Sequence, residues 1–169
     1  MNWLKKLRIA LFVFAIVMMT GGYIVAYARG EIGGKGTVTC EAGKEYKTRW
    51  FNFTIESVKK VDKYAGYEPE KGNVLIDVVI SEKCTFESPT TLGTMDFYID
   101  AESFDEYQWP IDPIDDTMMP AEFELKPKDS VKYHMVYEVP SGVNDLKLLY
   151  EEEDEKGTTY RTFSMDIKI

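Results

Sequence analysis

The sequence predicts an all-β fold, an antiparallel two-sheet sandwich of about eight or nine short strands, preceded by a single N-terminal apolar helix. Three observations carry this expectation. Residues 72–81, Gly-Asn-Val-Leu-Ile-Asp-Val-Val-Ile-Ser, are a β-branched run with apolar side chains at both parities and turn residues before it, the pattern of a central strand. Residues 51–56 and 130–139 alternate apolar with polar at period two, as strands with one buried and one wet face do. No amphipathic helical periodicity follows residue 28, so the core has to be built from sheets.

The composition agrees with a folded domain. With 44% hydrophobic and 14% aromatic residues the chain is too apolar to be disordered, and its aromatics favour strands. Beyond position 28 there are 17 basic against 29 acidic residues, a net charge of -12. Such a surface repels phosphate backbones, and no basic stripe interrupts it, so nucleic acid is not an expected partner.

Residues 1–8 form a short basic segment with Lys5, Lys6 and Arg8, and residues 9–28 follow as 20 residues without a charge. At 1.5 Å per residue a helix of that length covers roughly 30 Å, one hydrocarbon core. The basic flank would hold the N-terminus in the cytoplasm and place the rest of the chain outside. A cleaved signal peptide is the competing reading, because Ala26-Tyr27-Ala28 is an A-x-A cleavage pattern. Ile24 and Val25 extend the apolar run past usual signal-peptide length and favour a retained anchor. Both readings export the domain. Residues 29–36, with Gly30, Gly33, Gly34 and Gly36, read as a flexible tether, and residues 37–169 as the extracytoplasmic domain.

Within that domain, residues 37–41 are a brief strand and residues 47–58 a clear one, with Phe51, Phe53 and Ile55 on the buried face. Residues 59–71 are charged and turn-rich and are expected to form a surface loop, as are residues 82–93 after the central strand. Met95, Phe97 and Ile99 mark the inward face of the next strand, which residues 106–109 continue or pair with. Pro110, Pro113 and Pro120 exclude a central strand or helix between 110 and 120. Residues 122–125 form a short strand ending at the Lys126-Pro127-Lys128-Asp129 turn. Val131, Tyr133, Met135, Tyr137 and Val139 then face inward; Leu146, Leu148 and Tyr150, and Phe163, Met165, Ile167 and Ile169, do the same in the last two strands. Residues 151–157 read as an acidic hairpin tip.

The segments Gly72 to Ile80, Phe123-Glu124-Leu125-Lys126-Pro127-Lys128-Asp129, Tyr137-Glu138-Val139-Pro140 and Leu148-Leu149-Tyr150 resemble, in that order, a family of exported bacterial domains of unknown function. These share an immunoglobulin-like sandwich with a mycobacterial secreted immunogenic antigen. The resemblance covers about residues 45–169 and implies an immunoglobulin-like fold in a lipoprotein or membrane-tethered protein of the Gram-positive envelope. It carries no catalytic residues across. Lys128 stands where the family usually has a turn glycine, and an apolar helix stands where many relatives have a lipidated cysteine.

Among groups able to do chemistry, His134 is the only histidine and shares the parity of Lys132 and Glu138, so it is expected on the surface. No nucleophile, zinc or phosphate-loop motif is present, and an enzyme is not expected. Cys40 and Cys84 are the only cysteines. In an exported domain they can form a disulfide or remain two buried thiols, and both readings stay open. Carboxylates cluster at Asp100, Glu102, Asp105 and Glu106, at Asp112, Asp115 and Asp116, and at residues 151–155. These read as a solvated acidic surface, with calcium binding as the rival, although the spacing of an EF-hand is absent. Tyr64, Tyr67, Tyr107 and Trp109 lie in or beside loops, where they can contact a ligand or pack over the sandwich ends. The expected function is recognition of another envelope or surface protein, through loops or an open sheet edge. A wall-glycan or carbohydrate-binding module is the alternative, a carboxylate-dependent hydrolase the least supported, and no cofactor is implied.

Overall fold

The computed structural model describes residues 36–153 and 157–168, together with Met18 and Gly21. Contacts divide the chain into two units, residues 1–34 and 35–169. The expected membrane span or signal helix at 9–28 lies outside the described residues except for Met18 and Gly21. Everything below concerns the second unit.

Ten strands run in chain order: β1 (Gly36–Thr39), β2 (Glu45–Lys47), β3 (Phe51–Val61), β4 (Asn73–Cys84), β5 (Thr90–Leu92), β6 (Phe97–Asp100), β7 (Phe123–Leu125), β8 (Ser130–Pro140), β9 (Lys147–Glu153) and β10 (Thr159–Asp166), with one 3-10 turn at Thr94–Asp96. They form two four-stranded sheets, β1-β10-β9-β6 and β2-β3-β4-β8, and a two-stranded ribbon, β5-β7. All pairings are antiparallel except β1 with β10. The all-β sandwich is therefore as expected, with ten strands in place of eight or nine.

The central strand is β4, bonded to β3 and β8. Its Ile76, Val78 and Ile80 point into the sandwich and are fully buried, meeting Phe53, Ile55, Met135, Tyr137, Phe97, Ile99, Leu148 and Phe163. Phe53 is the hub, with Phe97 at 5.5 Å and Phe163 at 5.3 Å, both edge-on, and Tyr150 at 5.8 Å. Each such contact contributes about 0.5–1.5 kcal/mol beyond the area it buries. Tyr137 crosses between the sheets, its hydroxyl donating to the carbonyl of Phe97 at 3.3 Å.

Three expectations about element limits are corrected. β3 runs on to Val61, because Lys59, Lys60 and Val61 keep their register with Asp77, Ile76 and Leu75 across the hairpin. β4 runs on to Cys84, where residues 82–84 read as loop, and β9 continues through Glu153 into what reads as the acidic tip. A bulge between Ile55 and Ser57 reverses the parity of β3 midway, so that Val58 reaches the core while Val61 joins a separate cluster on the outer face.

The segment 101–122 closes two edges. Gln108 exchanges both backbone bonds with Ile99, each 2.8 Å, on the free side of β6. Residues 110–119 run along the free side of β8, with Ile111 donating to Val136, Met119 to His134, and His134 to Thr117. The prolines keep this stretch from becoming a strand, as expected, yet it still occupies the edge. Neither β6 nor β8 presents an open edge along these residues, so recognition by strand addition loses its basis there.

Candidate functional site

At one end of the sandwich, where β3 begins and β9 ends, a cleft of about 610 Å³ opens between Trp50, Met95, Asp96, Tyr98, Trp109 and Glu151. Tyr98 stands on the outward face of β6, opposite Phe97 and Ile99, and Tyr107 stacks on it at 4.3 Å with Trp109 at 5.2 Å. The pairing of Gln108 with Ile99 sets these two side chains in place, one on either side of it. Tyr98 is buried beneath them, whereas Tyr107 is 48% and Trp109 39% exposed. Trp50, also 39% exposed, contacts the Phe86 ring at 5.7 Å and the Arg49 guanidinium at 4.9 Å. A second hollow of about 460 Å³, bordered by Asp100, Phe104, Asp105, Glu106 and Tyr107, shares Trp109 with the first.

The charge of this region is one-sided. Asp96, Glu151 and Glu153 line the cleft and Asp100, Asp105 and Glu106 the second hollow, and no Lys or Arg is among the described lining residues of either. Asp96 accepts the Gly93 N–H at 2.7 Å, closing the 3-10 turn. Gly93 is required there, since a Cβ would stand 2.1 Å from the Ala121 carbonyl oxygen. Burial raises the Asp96 carboxyl above its ordinary value. Close by is Glu82, on the inward face of β4, 1% exposed and with neither carboxylate oxygen hydrogen-bonded. Desolvation first, and the charge of Asp96 second, push Glu82 up to about 8. Tyr98 is likewise raised, by burial and by the neighbouring Glu151.

Tyr64 and Tyr67 lie elsewhere, over the outer face of the β2-β3-β4-β8 sheet. Leu75, Met118 and Val136 form a small second core on that face, packed by Val61, Tyr64, Tyr67 and Ile111. Tyr67 donates to Glu138 at 2.5 Å, and Glu138 also accepts the Glu70 N–H and the Asn73 amide. These bonds, the Tyr67 bond foremost, hold the Glu138 carboxyl below its ordinary value. Thr117 donates to Asp115 at 2.6 Å, so the 2.9 Å contact between Tyr64 and Thr117 has the tyrosine as donor. His134 is not a plain surface residue: its Nδ1 is 2.7 Å from Asp77 Oδ1, and the Tyr64 ring lies 5.6 Å away. Outward parity read as exposure fails here because residues 61–67 and 110–119 cover the face.

The four candidate aromatics therefore separate. Tyr107 and Trp109 border an open cleft, while Tyr64 and Tyr67 serve packing and hydrogen bonding. Sequence reasoning missed Trp50, whose only signal is its outward parity between Arg49 and Phe51, and it placed Met95 on an inward face. The 3-10 turn breaks that alternation, and Met95 is 60% exposed. Cys40 and Cys84 are buried free thiols, Cys40 Sγ directed at the Val38 carbonyl and Cys84 Sγ at those of Phe86 and Ser88. Burial raises the Cys40 thiol to about 11. Among the described residues no group of three or more His, Cys, Asp or Glu side chains is placed to hold a metal ion.

No family model matches the chain, and no curated protein matches it. Solved structures do. The chain is similar to YcdA of Bacillus subtilis, a candidate lipoprotein (TM-score 0.59, 18% identity, 76% of this chain and 39% of that one). It is similar also to an uncharacterized β-sandwich protein of Clostridium difficile (TM-score 0.55, 14% identity, 81% and 98%). A third is the secreted protein MPT63 of Mycobacterium tuberculosis (TM-score 0.58, 8% identity, 79% and 100%). The fold is shared with all three. The chain spans about two fifths of YcdA and nearly the whole of the other two. The resemblance read from the order of short apolar motifs, to sandwich domains with the fold of a mycobacterial secreted antigen, is borne out as a likeness of fold.

Proposed function

We propose that the chain is an exported, envelope-associated domain, tethered through residues 9–28, that acts by non-covalent recognition of another envelope or surface protein. Export is supported by the basic and apolar N-terminal segments and by fold neighbours described as secreted or as a lipoprotein candidate. The observation that carries the recognition reading is the cleft itself. Two tryptophans, each 39% exposed, face one hollow whose carboxylates have no cation among its described lining residues. Large aromatics held open beside polar groups are the usual anchors of interfaces. Catalysis by a carboxylate pair is poorly served, since the most perturbed carboxylate, Glu82, has no accessible oxygen.

Glycan binding is the second reading, favoured by Tyr107 and Trp109 standing beside Asp105 and Glu106. Immobilised full-length chain, exposed to solubilised envelope proteins and separately to insoluble wall material, distinguishes the two. One envelope protein is expected to be retained, and to be lost with the Tyr107→Ala/Trp109→Ala double variant. Retention by wall material alone would favour glycan, and equal retention by the double variant would remove the cleft from the account.

A further inference from the structure

The partner's chemistry can be read from what the cleft lacks. The two hollows that meet at Trp109 carry six carboxylates, Asp96, Glu151 and Glu153 in one and Asp100, Asp105 and Glu106 in the other. No Lys or Arg is among their described lining residues. Arg49 lies over the Trp50 ring at 4.9 Å, so one aromatic of the cleft already receives a guanidinium. A negative region of this kind, lined by two indoles, is complementary to a cation: ring quadrupoles and carboxylates both attract it, and a positive side chain settling there lowers the mutual repulsion of the acids. A neutral sugar would leave that repulsion in place. A second copy of this chain would add to it, since the sequence beyond residue 28 carries a net charge of -12.

Resting on the reading of the domain as a protein-recognition module, we propose that the cleft takes an arginine or lysine side chain presented by an extended segment of the partner, its charged head against Trp109 and facing Glu151, Glu153 and Asp96. Two adjoining hollows suit neighbouring side chains of one extended segment better than a single small ion. Neutral ligands of the same length are then poor substitutes.

Trp3, Trp50 and Trp109 are the chain's three tryptophans. Full-length chain carrying Trp3→Phe therefore reports on the cleft by tryptophan fluorescence. It would be titrated at low salt with a blocked Gly-Arg repeat peptide, with the same peptide carrying uncharged citrulline for arginine, and with a chitin oligosaccharide. The arginine peptide is expected to bind and the citrulline peptide to bind about tenfold more weakly or not at all. The Glu151→Gln/Glu153→Gln variant, altered at one half-buried and one exposed position, should lose about fivefold. Trp109→Leu, which keeps every carboxylate, should also weaken binding. Unchanged affinity in Trp109→Leu would reassign the attraction to net charge and overturn the proposal. Equal binding of both peptides would overturn it while leaving a protein-recognition cleft in place. Response to the oligosaccharide alone would overturn the recognition reading as well, and no response to any probe would overturn the cationic partner.

Discussion

The outer face of the β2-β3-β4-β8 sheet and the cleft at the start of β3 hold the same kinds of side chain under opposite conditions. On the outer face Tyr64 and Tyr67 pack against Leu75, Met118 and Val136, and the carboxylates of Asp77, Asp115 and Glu138 each accept a hydrogen bond from a neighbour. At the cleft Trp50, Tyr107 and Trp109 stay open and Asp96 accepts one backbone N–H, while Glu82, buried beside Asp96, has no partner. Burial alone does not make this difference. Glu152 is as buried as Glu82, yet it receives Arg161 Nε at 2.7 Å and the Arg49 N–H. The first region is finished by its own chain. The second keeps aromatic surface uncovered beside carboxylates that have no cation among the described lining residues, and on these two features the recognition proposal rests.

The largest effect that would break this contrast concerns Glu82. Its folded-state value, about 8, lies above the ordinary 4.5 of a glutamate, so the native state binds more protons than the unfolded chain between those values. Stability from this group is greatest below about pH 4.5 and falls as pH rises through 8, by on the order of 4 kcal/mol in all. Denaturant midpoints of wild type and Glu82→Leu, compared from pH 5 to 9, should diverge with rising pH in favour of the variant. Parallel profiles would mean that Glu82 finds a partner. Next in size, Met118→Ala should cost about 3 kcal/mol of unfolding free energy and Trp109→Ala no more than about 1, because one is sealed in a core and the other lines a cleft. The reverse order would make the cleft the region that folding depends on.

Tyr67→Phe removes one bond to Glu138 and should cost about 1 kcal/mol at neutral pH. Because Glu138 is lowered, its contribution is present above the ordinary carboxylate value and lost as pH falls through the folded one. The difference between Tyr67→Phe and wild type should therefore shrink in acid, and a difference constant with pH would show that Glu138 plays no part. The smallest effect is at Lys128, whose φ of 72° places it in the left-handed region. Lys128→Gly should stabilise by up to about 1 kcal/mol in thermal unfolding, relief of backbone strain being partly offset by the entropy of glycine.

The sequence made much of this legible, unevenly. The inward rows of β3, β4, β6 and β8 stood out because one wet and one dry face impose period two, and Ile76, Val78 and Ile80 lie in the core where the pattern puts them. Leu75 and Val136 share the opposite parity with Asp77 and His134; on β8 that face read as solvent, and on the central strand its cover stayed open. What covers it is the segment 110–119, whose prolines and irregular spacing carry no period that could show Ile111 and Met118 turning inward. The bulge before Ser57 left no mark either, since a single extra residue changes parity without changing composition. At the cleft, Tyr107 and Trp109 were found as loop aromatics, but their union with Trp50 and Asp96 depends on contacts between β3, the 3-10 turn and the stretch beside β6, which are distant in the chain. Lys128 was legible as a departure from the turn glycine of the resembling family, and its φ of 72° lies in the region that glycine adopts without strain.

On the proposed reading the cleft meets a partner and the covered face does not. Placing a photo-crosslinking amino acid at position 109 in one full-length chain and at position 64 in another, and irradiating cells that produce them, tests it directly. A discrete protein adduct is expected from position 109, weakened by Glu151→Gln/Glu153→Gln, and none from position 64. An adduct from position 64 with position 109 silent would contradict it.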